Sequence, residues 1–139
     1  VAGLVAVTPA AGVSGPLGAM LLGAASALAC YAFVARIKNR LRWDDSLDVF
    51  GIHGLGGILG SLGTALVASP VLGGHGAEGL SVVAQLGRQA AAVLVAIGWS
   101  AAGSALAFAL VRALLPLRHE EEAEREGLDL SDHGERAYG

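Results

Sequence analysis

The sequence predicts an all-α membrane protein: a bundle of transmembrane helices followed by a polar tail. Three observations predict it. Three uncharged runs are each close to the ~20 apolar residues that a helix needs to cross a bilayer. Hydrophobic residues make up 54% of the chain and charged ones 15%, against about 25% charged in a typical soluble domain. The 21 glycines, with many alanines beside them, suit close approach of helices in lipid better than a core of large interlocking side chains. A helix satisfies its backbone polar groups internally, so each uncharged run is expected to be helical.

The elements come in this order. "VAGLVAVTPAAG" at Val1–Gly12 has no charged leader region and does not read as a signal peptide. It looks like the end of a truncated span, and the chain is expected to be a fragment or the C-terminal part of a longer one. The full spans are expected at about Leu17–Ala35, Val49–Ser69 and Gln89–Val111. Between the first two, "RIKNRLRW" carries Arg36, Lys38, Arg40 and Arg42; the loop from Pro70 to Arg88 carries only His75, Glu78 and Arg88. The positive-inside rule puts the Arg36–Arg42 loop and the C-terminus in the cytoplasm and the Pro70–Arg88 loop outside. Residues 1–115 form the membrane part, and a polar, acidic tail occupies 116–139, with a short helix-like piece broken at Gly127. Formal net charge is -3, but most acids lie in that tail. No basic stripe for nucleic acid is present. The lone Cys30, in an apolar run, offers neither a disulfide pair nor a thiolate metal cluster.

The second span, "DDSLDVFGIHGLGGILG" from Asp44, holds a titratable ring in an apolar segment. If its helix starts near Ser46, Asp45 caps it and Asp48 stands three residues on, as in a capping box. Asp44 and Asp45 also suit the positive end of the helix dipole. Asp48 could equally hold a neighbouring loop. His53 then lies about eight residues in, ~12 Å along the axis and near the midplane. An imidazole there faces the bundle or a cavity rather than lipid. Gly56, Gly57, Gly60 and Thr64 share its face by helical spacing. They let another helix approach or leave open space beside the ring. Two readings stand side by side: a packed, hydrogen-bonded structural histidine, or a ligand or transport site. A metal site is disfavoured, because His53 has no histidine or carboxylate at four-residue spacing. An enzyme is disfavoured too: Asp48 and His53 project about 140° apart on a helix, and no Ser or Cys nucleophile motif accompanies them.

With these residues in view, the chain resembles the ammonium transporter family (Amt/Mep/Rh), and its Amt branch in particular. "VAGLVAVTPAAG", "WDDSLDVFGIHG", "GWSAAG" and "REGLDLSDHGERAYG" occur in that family's order and spacing. The resemblance implies the C-terminal part of an eleven-helix fold, from the end of helix eight through helix eleven and the tail. It implies a multi-pass protein of the cell (inner or plasma) membrane that forms homotrimers with one pore per subunit. Two histidines line that narrow apolar pore, and His53 matches the second. Ammonium is costly to place in a dry pore; after losing a proton it can pass as ammonia, and a neutral imidazole offers one donor and one acceptor to it. Potassium has no proton to give up. No cofactor is implied.

Ile52 and Leu55 bracket His53 and are expected to help line the pore. Asp45 matches an acid near the inner mouth, Asp48 one that supports the helix start, and Thr8 and Pro9 a kinked region. The tail is implied to dock under the neighbouring subunit and to meet PII-type signalling proteins. Gly127 is its expected hinge, since glycine accepts positive φ freely; Asp129, His133, Glu135 and Tyr138 are its expected docking residues. His75 and His119 are expected to be plain exposed polar residues, and Trp99 to pack within the third span. The alternative within the same fold is an ammonium sensor with a fused signalling domain. None follows Gly139 here, and the expectation is transport.

Overall fold

The computed structural model describes residues 1–76, 79 and 81–136, and every regular element among them is helical. Glu78 and Tyr138 lie outside the described residues. The chain divides into two compact units, Val1–Ala96 and Ile97–Gly139.

The first unit begins with α1 (Ala2–Val7), which tightens into a 3-10 turn at Thr8–Ala10. Pro9 stands in that turn, and the Thr8 hydroxyl donates to the Leu4 carbonyl at 2.8 Å. Next comes α2 (Pro16–Ala32), with proline in its first turn, where the missing N–H costs nothing. The helix does not stop at Ala35 as the hydropathy predicts. It widens into a π-helical stretch at Phe33–Lys38 and runs on as α3 (Asn39–Leu41). Arginine and lysine are good helix formers, and they suit the negative end of the dipole. The stop is conformational: Arg42 takes φ +52, which an L-residue cannot propagate as a helix.

The second predicted span appears as a π-helical stretch, Phe50–Gly54, followed by α4 (Leu55–Val67). α5 (Val82–Leu114) is 33 residues long and extends the third predicted run at both ends. Among the described residues, Pro16–Leu41, Phe50–Val67 and Val82–Leu114 are the three helices long and apolar enough to cross a membrane.

α1, α2 and α4 pack on one another. Their shared interior is made of small side chains: Ala6, Ala10, Ser26, Cys30, Thr64 and Ala65 are all buried. Backbones approach closely there. A Cβ on Gly60 would stand 2.3 Å from the Ala6 carbonyl oxygen, and one on Gly3 would stand 2.9 Å from that of Gly23. Without a hydrophobic drive between helices in lipid, such proximity is what packing energy depends on.

The second unit holds the remainder of α5 and two short tail helices, α6 (Glu121–Glu126) and α7 (Leu128–His133). Trp99, expected to pack, is 84% exposed. No residue of α5 is fully buried among the described ones; Val82, Ala90 and Val93 are half-buried and most of its other apolar side chains are exposed.

Candidate functional site: the turn before the second span

The second span opens on a turn that the sequence places only in part. Asp45 caps it: one carboxylate oxygen accepts from the Val49 N–H at 2.8 Å and the other from the Phe50 N–H at 3.0 Å. The capping-box arrangement for Asp48 does not form. Asp48 has φ +57 and sits before the helix rather than inside it. Its carboxylate pairs instead with the Lys38 ammonium, which also donates to the Asp45 carbonyl at 2.9 Å. Both partners are shielded, with side chains 16% and 31% exposed.

This moves the helix start. A residue in the left-handed region cannot continue a right-handed helix, so the helix begins at Val49 and not near Ser46. His53 is therefore the fifth residue of the helix, about 7.5 Å along the axis rather than ~12 Å. Counting from the helix start does not put it at the midplane.

The π-helical stretch also splits the face expected to run from His53. Its wider turn rotates the later residues of the span relative to a plain α-helix. Gly56 and Gly60 are buried, Gly60 against Ala6 of α1 and Gly56 facing Val5 of α1 and Cys30 of α2. Thr64 is buried with them and donates to the Gly60 carbonyl at 2.9 Å. Gly57 is turned to open space: a Cβ there would meet nothing within 4 Å. His53 is exposed on the open side, flanked by half-buried Ile52 and Leu55.

The ring borders an open hollow lined by Trp43, Asp44, Asp45, Val49, Phe50, His53 and Gly54. Trp43 and Phe50, which line it, belong to an aromatic cluster. Trp43 meets Phe50 nearly edge-on at 5.1 Å between ring centres, and Phe33 lies 5.8 Å from Trp43 and 5.7 Å from Phe50. Gly51 makes room for it, since a Cβ there would press on Val34 and Phe33. The hollow thus has a largely apolar lining that also includes Asp44, Asp45 and an imidazole able to donate and accept. No group of three or more His, Cys, Asp or Glu among the described residues is placed to hold a metal.

Sequence reasoning missed Lys38 as a partner and counted it only among the basic loop residues. It also missed the aromatic cluster. The signal for the latter was available: the chain has 2 Trp, 2 Tyr and 3 Phe, and positions 33, 43 and 50 surround one turn.

In the tail, Gly127 has φ +104 and separates α6 from α7. Asp129 stands in the first turn of α7 and His133 in the last, four residues apart and on one face. Glu135 follows the left-handed Gly134, its N–H donating to the Asp129 carbonyl at 3.2 Å. Arg118 grips Glu124 with two hydrogen bonds of 2.6 and 2.8 Å, and this holds the Glu124 carboxyl below its usual range. His75 and His119 are both exposed; His119 lies 3.5 Å from the Asp132 carboxylate.

Comparison with known proteins gives a consistent result. The profile of the Ammonium Transporter Family matches residues 1–138. The chain is 42% identical over 138 residues to an ammonium transporter of Aquifex aeolicus, covering 99% of this chain and 32% of that protein. It is 37% identical to an ammonium transporter of Bacillus subtilis, covering 99% of this chain and 35% of the relative. It is 36% identical to the ammonium transporter Amt1 of Archaeoglobus fulgidus, with the same coverage of 99% and 35%. The chain spans about a third of the length of the curated relatives it matches.

Proposed function

The chain belongs to the ammonium transporter family, and on that premise we propose that it supplies part of the passage of an ammonium transporter. Ammonium gives up a proton to water at the mouth of the passage, and ammonia crosses beside His53. The observation that carries this reading is the imidazole itself: it is exposed on a helix of membrane-spanning length and borders a mainly apolar hollow. Ionisable side chains within such helices normally face a cavity or pathway and carry function.

The dry wall makes the charged form expensive, and this separates ammonium from potassium. Ile52 and Leu55 line the passage next to the ring. Asp45 and Asp48 shape the inner mouth rather than react. The protein is a multi-pass component of the cell membrane with its C-terminus in the cytoplasm, and it works as a homotrimer. The tail is its regulatory element: Gly127 is the hinge, and Asp129, His133, Glu135 and Tyr138 form docking contacts for the neighbouring subunit or a PII-type signalling protein. The role is transport, not catalysis.

The test is His53→Ala in the full-length protein, expressed in cells that lack other ammonium uptake. Selective uptake should disappear, or potassium should leak through. Native flux with native selectivity would overturn the assignment.

A further inference from the structure

We propose that Lys38 is a positioning residue for His53: by holding Asp48 in left-handed backbone, it sets where the second span begins and so where the imidazole points. The inference rests on the transport role of His53 and adds a residue to it.

Asp48 has φ +57, an uncommon conformation for a residue with a side chain. Something must hold it there. Lys38 does so from the end of the preceding π-helical stretch. Its ammonium meets the Asp48 carboxylate and the Asp45 carbonyl together. The partial burial of both charged groups makes this more than a solvated surface pair. The consequence passes along the chain in short steps. Left-handed Asp48 ends the turn, so the Val49 and Phe50 N–H groups are left free of helical partners and fall to the Asp45 carboxylate. The π-helical stretch starts at Phe50, and His53 is its fourth residue. If Asp48 relaxed to right-handed values, the helix could grow back toward Ser46 and displace the Asp45 cap. His53 would then rotate away from the hollow.

Glycine separates this role from a plain charge effect, because it adopts left-handed backbone without help. In the full-length transporter, Lys38→Met should lower the maximal rate of ammonium uptake about tenfold, the scale set by the cost of left-handed backbone in an L-residue. The half-saturating concentration should stay the same, and selectivity over potassium should fall. Adding Asp48→Gly should restore most of the rate. Adding Asp48→Ala should not, although it removes the same carboxylate. Native transport by Lys38→Met, or equal rates for the two double variants, overturns the proposal.

If Lys38→Met fails to accumulate in the membrane, Asp48→Gly and Asp48→Ala alone decide. A glycine variant about tenfold faster than the alanine variant supports the role, and equal rates refute it. His53→Ala is measured alongside. Native flux in that variant removes both the transport role and the positioning role. An inactive His53→Ala with a native Lys38→Met removes the positioning role only.

Discussion

Gly57 and Gly60 stand three residues apart in one helix, and a methyl group should act on them with opposite sign. At Gly60 a Cβ would lie 2.3 Å from the Ala6 oxygen and 2.8 Å from the Ala6 carbonyl carbon and Cα. These are backbone atoms and cannot swing aside. Ordinary contact begins near 3.4 Å, so α4 must withdraw from α1 by about 1 Å. A gap of that size forfeits a quarter to a half of each dispersion contact along the seam. Ala6 and Ala10, both fully buried, sit on that seam. Overpacking of this kind costs about 1–3 kcal/mol. Replacing a helical glycine by alanine returns up to about 1 kcal/mol, leaving Gly60→Ala destabilised by as much as about 2 kcal/mol. Gly57→Ala meets open space and keeps only the favourable part. The assay is thermal unfolding of the purified full-length protein in detergent, followed by loss of its monodisperse peak. Gly60→Ala should melt a few degrees below the native protein and Gly57→Ala at or above it. Equal midpoints for the two variants would refute the packing argument.

Two further outcomes concern the tail. Gly127→Ala should cost about 1–3 kcal/mol, because φ +104 is a conformation largely restricted to glycine, and the new Cβ would press on the Asp129 carboxylate at 2.6 Å; limited proteolysis should then cut the 121–136 region faster than in the native protein. Arg118 holds the Glu124 carboxyl below its ordinary value of 4.5. A lowered folded value means that the pair's stabilisation is complete above that range and is lost as pH falls through the lowered value. The Glu124 carboxyl carbon resonance should therefore titrate at lower pH in the native protein than in Arg118→Gln, and coincident titrations would contradict the pairing.

The legible parts of the sequence were those governed by local or solvent-imposed rules. Hydropathy over ~20 residues located the spans, because lipid tolerates no unpaired backbone whatever the neighbours are. The cap at Asp45 was legible, since an aspartate before a helix binds N–H groups only a few residues ahead. The break at Gly127 was legible because only glycine takes that φ easily. Helix ends were read less well. The first span ran past its apolar stretch to Leu41, because arginine and lysine favour helix whether or not lipid surrounds them.

What the sequence alone determined was the all-helical architecture, the spans and a histidine set in one of them. Only the tertiary structure decided how that histidine is presented. Lys38 reaches Asp48 across ten residues, and the resulting left-handed turn sets the helix start and its π-helical register. The same contacts decided that Gly56 and Gly60 face α1 while Gly57 does not. Periodicity is a property of a regular helix started at a known residue. When a partner distant in the chain chooses the starting residue and widens a turn, the face can no longer be counted from the sequence.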